Sequence, residues 1–411
     1  MTLAIVFSAL GALVLADTLL WHLRFRGAIR RRLAPPPLPA AYPSVSVVRP
    51  VRGRDVGAEE NFAAALDTGY PGDVETIFVV DDRADPAMPL LDAAIAAHRE
   101  SGVPGRASVI VAGPLPAGRT GKLNAMMAGM AVARGELVAF GDSDSRPDRD
   151  VLRVLVETLA STPRAGCAFA PVVAPLPAHT AGDVGYALML NGMYGAAVAL
   201  ASSRTGDMPF IMGQLMLFRR DALAAAGGLA CAEGHFVDDM RIGACMAEAG
   251  WRNVPSAHPL SIINTGMDMA AFLRLMRRWL FFQRAGLPRS FTWPLWVRGL
   301  EFGAALAAGL VALFAASPLA AIVPFLAVAT IGWSVASLHR EFGGSPVAPR
   351  HAWVPLALFL SGPIAHVAAV LFPAVRWRGR DYSLDMKARL QAPAAEPVPP
   401  EVVQESRAAN G

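Results

Sequence analysis

The chain has 411 residues, 54% of them hydrophobic and 17% charged, with a net charge of +4 and a mean hydropathy of +0.39. The length exceeds the roughly 100–200 residues of one ordinary domain, and the apolarity excludes a wholly soluble protein in favour of a globular domain joined to membrane spans. The basic excess does not point to nucleic acid, because Arg24, Arg26, Arg30, Arg31 and Arg32 cluster beside an apolar run, where anionic lipid headgroups are the natural partner.

Thr2 to Trp21 is an apolar run long enough to span a bilayer, interrupted by Asp17 and followed by the arginine cluster. Positive charge follows the run instead of preceding it, and no small-residue cleavage site comes after. Residues 1–22 are therefore read as an uncleaved transmembrane helix with its basic side cytoplasmic. Residues 23–41 form a basic linker stiffened by Pro35, Pro36, Pro37 and Pro39. The mixed composition of residues 42–266 marks the catalytic domain. Its cysteines, Cys167, Cys231 and Cys245, form no CxxC pair, and an odd count suits a reducing cytoplasm.

Within that domain Ser44 to Val48, Glu75 to Val80 and Leu137 to Phe140 read as short strands. Asn61 to Leu66, Met88 to His98 and Leu123 to Ala133 have helical apolar spacing. The alternation predicts an α/β fold with a parallel sheet, whose site lies beyond the carboxyl ends of its strands. Residues 267–298, amphipathic and rich in Arg and Trp, read as one interfacial helix. Apolar segments at Leu300 to Ala316, Leu319 to Leu338 and Trp353 to Phe372 make residues 299–375 a transmembrane or re-entrant region. Three full spans would place Arg376, Arg378, Arg380 and Lys387 outside, against the positive-inside rule. One segment is therefore expected to be re-entrant, and Ser361-Gly362-Pro363 breaks the pattern of Trp353 to Phe372. Residues 376–411 are expected to be a basic, then disordered tail.

Leu137 to Phe140 runs into Gly141-Asp142-Ser143-Asp144, two carboxylates at spacing two just past a strand end. Such hard oxygen ligands suit Mg²⁺ or Mn²⁺, which would neutralise charge on the departing diphosphate of a nucleotide sugar. A second strand ends in Asp81-Asp82-Arg83, bringing a carboxylate suited to a nucleotide base, or to a turn, to the same edge. Gly234-His235-Phe236-Val237-Asp238-Asp239 precedes a helix-patterned run, and one of its acids is placed to act as general base for an acceptor hydroxyl. Gly121-Lys122 lacks the surrounding residues of an ATP-binding phosphate loop, with Pro116 and Leu123 in the wrong places, which leaves Lys122 as a candidate for a donor phosphate.

Ordered blocks carry a resemblance. They are Arg49-Pro50-Val51-Arg52-Gly53-Arg54-Asp55, Gly69-Tyr70-Pro71, Asp82 with Asp85-Pro86-Ala87, Gly121-Lys122-Leu123-Asn124, Asp142-Ser143-Asp144, Met212-Gly213-Gln214, Arg219-Arg220-Asp221 with Gly227-Gly228-Leu229, Asp238-Asp239 and Arg277-Arg278-Trp279. In this order they resemble the ceramide glucosyltransferases, glycosyltransferase family 21, within the family 2-like nucleotide-diphospho-sugar transferases. The resemblance implies a GT-A type α/β domain with an N-terminal transmembrane anchor and C-terminal transmembrane helices. It implies that Asp82 contacts the donor nucleotide, that Asp142 and Asp144 hold donor and metal, and that Asp239 is the base. Arg278 and Trp279 match the end of the relatives' (Q/R)xxRW pattern and are read as donor-binding. Leu275 stands where Gln or Arg is usual, with Arg274 one place earlier.

The expected activity is inverting transfer of one sugar from a nucleotide-diphospho-sugar, a UDP-sugar first, to a membrane lipid hydroxyl, on the cytoplasmic face of a bacterial inner membrane. Glucose, galactose, glucuronate and N-acetylglucosamine donors fit the pattern, as do ceramide, hopanoid and diacylglycerol acceptors. The rival readings are a glycan-extending synthase, which would need a polymer channel, and a catalytically silent membrane protein that binds lipid or nucleotide.

Overall fold

The computed structural model describes residues 2–32, 36–175, 177–263, 265–284, 287, 289–315, 317–372, 375–385 and 387–391. It opens with a long helix, α1 (Thr2–Arg32), and then enters the α/β domain. Its first half alternates β1 (Val45–Pro50), α2 (Ala58–Leu66), β2 (Val74–Val80), α3 (Met88–Ser101), β3 (Arg106–Val111), α4 (Gly121–Val132) and β4 (Leu137–Gly141). Next come β5 (Ser145–Arg146), α5 (Val151–Ser161), β6 (Ala165–Phe169) and β7 (Val172–Val173). A continuous helical run follows: α6 (Ala181–Ala187), a π-helical stretch (Leu188–Gly195) and α7 (Ala196–Thr205). The domain closes with β8 (Leu215–Arg219), α8 (Arg220–Ala225), α9 (Asp238–Glu248), β9 (Arg252–Pro255) and β10 (Leu260–Ile262).

Four helices come after it: α10 (Met269–Arg284), α11 (Arg289–Ala315), α12 (Pro318–Glu341) and α13 (Val354–Leu371). A hairpin of β11 (Val375–Trp377) and β12 (Arg380–Tyr382) ends the elements.

The strand order of the main sheet is β3-β2-β1-β4-β8-β6-β9. The chain winds outward from β1 through β2 to β3, then crosses back so that β4 pairs parallel with β1 on its other side. This reversal makes the gap beyond β1 and β4 the topological switch point, where ligands of such sheets bind. The strands form because β1, β2 and β4 are almost wholly buried. Alternate residues of β2 feed opposite cores: Ile77 and Val79 pack with Leu123 and Met126 of α4, while Phe78 and Val80 pack with Phe62 and Leu91 of α2 and α3.

Five helical stretches are long and apolar enough to cross a membrane among the described residues. In Thr2–Arg31 only 17% of the apolar window is buried inside the protein, whereas in Ala181–Thr205 the share is 78%. The second is thus no free span. It is the joint between domain and membrane helices: a Cβ on Gly192 would lie 2.5 Å from Val335 O of α12, and one on Gly195 would lie 2.7 Å from the Phe342 ring. Asn191 and His339 tie the joint at 3.1 Å between Nδ2 and Nδ1.

Two expectations are corrected. Residues 267–298 do not form one interfacial helix, for α10 ends at Arg284 and α11 begins at Arg289. The first part of the tail, expected to be basic and then disordered over residues 376–411, forms the β11–β12 hairpin and runs on to Leu390, which donates its N–H to Gly234 O at 2.9 Å. Arg378 and Arg380 find carboxylates in the catalytic domain, which the composition of the tail alone does not reveal.

Helix α1 docks along α12 at several depths. Arg26 and Arg30 share Glu341 at 2.7 and 3.2 Å, and His22 Nδ1 lies 3.0 Å from Ser334 Oγ. At Gly11 a Cβ would lie 2.6 Å from Pro324 N, so the two backbones meet where only glycine fits. Gly11→Leu is expected to destabilise the docked anchor by about the 1–3 kcal/mol of an overpacked core, read as a lowered melting midpoint in detergent. Gly27→Leu, whose nearest neighbour is the flexible tip of Arg31 at 3.3 Å, should leave the midpoint near wild type. Equal midpoints for both variants would remove this contact from the account.

Candidate active site

At the switch point the ends of β1, β2 and β4, the first turns of α4 and α9, the helix α10 and the hairpin enclose a cleft of about 460 Å³. Six aspartates line it: Asp55, Asp81, Asp142, Asp144, Asp238 and Asp239. Arg52, Lys122, Arg278, Arg378 and Arg380 line it too, and Tyr186, Ile262, Ile263, Met267, Leu275 and Trp279 form an apolar wall on the α10 side.

The turn carrying Asp142 and Asp144 is braced from below. Arg49, at the end of β1 and only 1% exposed, donates through Nη2 to Asp142 O at 2.6 Å and Ser145 O at 2.9 Å. Burial pulls its guanidinium down to about 10, against the pull of Asp142 and Asp144. Asn61 Nδ2 donates to Ser143 O at 3.3 Å, and Ser143 Oγ donates to Asp55 at 2.5 Å. Asp142 lies 2.7 Å from Lys122 Nζ. Asp144 Oδ1 is buried and has no hydrogen-bond partner. Burial first, then Asp142, push the Asp144 carboxyl up to about 6.

Lys122 sits in the first turn of α4, which Thr120 caps by accepting from Leu123 N at 3.1 Å. Its ammonium donates to Gly213 O at 3.0 Å. Burial would lower its pKa, but Asp142, Asp238 and Asp239 together hold it above its ordinary value. Asp238 and Asp239 open α9. Asp239 accepts from Gly213 N at 2.7 Å and from Met240 N at 2.8 Å, and burial, then Asp238, push its carboxyl up to about 7, with Lys122 opposing. Asp238 Oδ1 accepts from Asp239 N at 2.8 Å, while its Oδ2 is buried without a partner.

Of the residues singled out in the sequence, Lys122, Asp142, Asp144, Asp239, Arg278 and Trp279 come together in this cleft. Asp82 does not. It is exposed and accepts from Ala84 N at 2.7 Å in a turn, while its neighbour Asp81 faces the cleft. The reason is strand parity: Asp81 continues the face of Ile77 and Val79, which looks toward α4. Trp279 is 7% exposed and set edge-on to Tyr194 and Tyr186 at 5.4 and 6.2 Å. Arg278 is pulled down by burial and held up by Asp144. Arg274 is exposed and outside the cleft, so it does not fill the place left by Leu275.

Sequence reasoning passed over Asp55, Asp81, Gln214 and the hairpin residues Trp377, Arg378, Arg380 and Tyr382, all of which line the cleft. Asp55 and Gln214 stood inside recognised blocks, whereas nothing local marked the hairpin.

The chain has the fold of the mannosyltransferase PcManGT from Pyrobaculum calidifontis, solved in complex with GDP-Man and Mn²⁺: the TM-score is 0.54 at 21% identity, over 88% of this chain and 99% of that one. The catalytic domain is thus of the GT-A type, with membrane helices at both ends. The family model of glycosyl transferase family 21 matches residues 4–390, and the chain belongs to that family. It is a glycosyltransferase and a membrane protein, as its ordered blocks and hydropathy led us to expect. Two relatives from Caenorhabditis elegans are ceramide glucosyltransferase 3, 22% identical over 86% of this chain and 75% of its own length, and ceramide glucosyltransferase 1, 21% identical over 89% and 77%.

A Cβ on Gly213 would lie 2.5 Å from Asp239 Oδ2. Gly213→Ala should therefore push the Asp239 carboxylate out of its hydrogen bond and cost at least tenfold in sugar transfer, with a near-normal melting midpoint. Wild-type rates in that variant would show that the placement of Asp239 is not critical.

Proposed function

We propose that the protein transfers one sugar, with inversion, from a nucleotide-diphospho-sugar to the hydroxyl of a membrane lipid, and that UDP-glucose and ceramide are the pair to assay first. The carrying observation is the meeting, in one cleft, of the Asp142–Asp144 turn and the acidic start of α9 with an apolar wall that continues into the membrane helices. The relatives named ceramide glucosyltransferases support the donor and acceptor classes.

Asp142 and Asp144 are the residues that would hold a divalent cation. The unpartnered, buried Asp144 Oδ1 fits that role, and no group of three metal-binding side chains occurs among the described residues. Two carboxylates suit Mg²⁺ or Mn²⁺, which commonly keep their other positions for water and substrate phosphate. When bound, such a cation neutralises charge developing on the leaving diphosphate. Lys122 and Arg278 meet the phosphates from the other side. Asp239 accepts the proton of the lipid hydroxyl as its oxygen bonds the anomeric carbon from the face opposite the departing phosphate oxygen, which leaves with the bonding pair.

Both flanks of α13 support a reading of the topology. Before it, Ser345 Oγ donates to Pro175 O, and after it the hairpin enters the catalytic cleft. We read α1, α11 and α12 as crossing the membrane and α13 as entering and leaving on the side of the catalytic domain. The helix is unbroken through Ser361-Gly362-Pro363, contrary to the expected break, and returns along α11, with Phe359 stacked on Phe302 and His366 edge-on to Trp296. Cysteines at the exposed positions Pro346 and Ser383 should both react with an impermeant maleimide from the catalytic side only. Labelling from opposite sides would make α13 a full span.

The test of function is transfer of glucose to ceramide in nanodiscs. Asp142→Asn and chelation should each abolish it, and Asp239→Asn should lower it by roughly 10²–10⁴-fold. A base raised to about 7 is protonated and idle below that pH, so kcat/KM should rise with pH through 7 and level off above. Asp238→Asn, which removes the neighbouring charge, should shift that limb to lower pH and cost less activity. A larger loss in Asp238→Asn than in Asp239→Asn would move the base to Asp238.

A further inference from the structure

The hairpin turns through Arg378 and Gly379, both with positive φ, at 51° and 73°. Two successive left-handed residues make the tight primed turn of a two-residue hairpin, in which Gly is at ease and Arg is not. A non-glycine residue held there calls for an explanation in what its side chain does.

The Arg378 guanidinium reaches into the cleft. Nη1 is ion-paired with Asp55 and donates to Arg52 O at 3.3 Å, while Nη2 lies 3.5 Å from Ser143 Oγ and 3.8 Å from Asp144 Oδ2. Arg380 pairs with Asp81 at 3.1 Å and lies so close over the start of α4 that a Cβ on Gly121 would strike its Nη1. Phe236 seats the hairpin from behind, packing on Trp377 and Tyr382 at 5.9 and 5.3 Å. The cleft without the hairpin would set six aspartates against Arg52, Lys122 and Arg278 alone. With the carboxylates ionised it would repel a diphosphate, even after a divalent cation had bound.

We propose that Arg378 and Arg380 are donor-binding residues, delivered by the C-terminal hairpin to grip the diphosphate of the nucleotide sugar. The inference rests on the transferase reading of the cleft given above. Guanidinium forks match phosphate oxygens two at a time. Each pairs with an aspartate of the cleft wall, Arg378 with Asp55 and Arg380 with Asp81, and a guanidinium carries five N–H donors, more than one carboxylate takes up. The same pairing argues against an inhibitory plug, which would close its principal ion pair on Asp144, whereas Arg378 keeps 3.8 Å from that carboxylate.

The test uses the full chain in detergent, titrated calorimetrically with UDP and, in parallel, GDP in the presence of Mn²⁺, together with donor kinetics. Arg378→Ala and Arg380→Ala should each weaken nucleotide binding and raise the donor KM by about tenfold or more, the loss of a charge-assisted hydrogen bond. The acceptor KM should not move, and Arg378→Lys should recover part of the affinity. Melting midpoints near wild type in the absence of nucleotide would separate this role from a merely structural one, and a misfolded Arg378→Ala would leave Arg378→Lys and Arg380→Ala to decide. Unchanged nucleotide affinity in the two alanine variants would overturn the inference. So would faster turnover, the mark of a plug removed. Failure of the wild-type chain to bind either nucleotide would instead sink the transferase reading of the cleft, and this inference with it.

Discussion

Two ionised carboxylates held 4 Å apart repel by about 4 kcal/mol at the effective dielectric of a protein surface, and this cleft gathers six aspartates. The chain meets that constraint by bringing cations from four separate stretches. Arg52 follows β1, Lys122 opens α4, Arg278 comes from α10, and Arg378 and Arg380 come from the hairpin. Lys122 stands between the two acidic groups, touching Asp142 and held up by Asp238 and Asp239 as well. Burial, and then a neighbouring aspartate, push the Asp144 and Asp239 carboxyls up to about 6 and 7, with Arg378 and Lys122 opposing. A site so balanced is poised to accept cations and to exchange protons near neutral pH.

The position of the cleft relative to the membrane helices follows from the α6–α7 run. Its small residues let α12 close in on it, while Phe25, Ala28 and Ile29 of α1 share a core with Ala196, Ala199, Leu338 and Phe342. The catalytic domain is therefore docked on the membrane helices along a packed face. A lipid whose chains leave hydrocarbon loses about 0.8 kcal/mol per CH₂, so the lipid acceptor proposed above would be best served by a site held close to the membrane helices. The apolar wall of Leu275 and Trp279 lies on the helix that joins the domain to α11.

Much of this was legible in the sequence, for reasons that are themselves local. The strands β1, β2 and β4 are buried runs bounded by Pro, Gly and Asp, and helices α2, α3 and α4 carry plain apolar spacing, so the half of the sheet that places Asp142 and Asp144 could be drawn in advance. The choice of Asp82 over Asp81 neglected a local rule, the alternation of strand faces. Other features depend on partners far along the chain. The hairpin strands are three residues long and charged, and their order derives from Asp55, Asp81 and Phe236. The α6–α7 run is as apolar as a span, and only its packing against α1 and α12 shows that it belongs to the joint.

The hairpin is held at both ends, which limits how it can move. From Phe372, whose carbonyl accepts from Arg277 Nη2 at 2.7 Å, to Val375 the chain reaches at most about 11 Å even when extended. Beyond β12, Phe236 N donates to Ala388 O at 3.1 Å and Leu390 N to Gly234 O at 2.9 Å. The hairpin is thus a strap running from α10 to the loop in front of α9, and it cannot swing clear of the cleft without breaking one of these attachments. Small displacements are all that remain, and any that carry Arg378 and Arg380 also pull on residues 234–236, two positions ahead of Asp238. The hairpin arginines and the acidic start of α9 are in this way parts of one mechanical unit, although more than a hundred residues separate them in the chain.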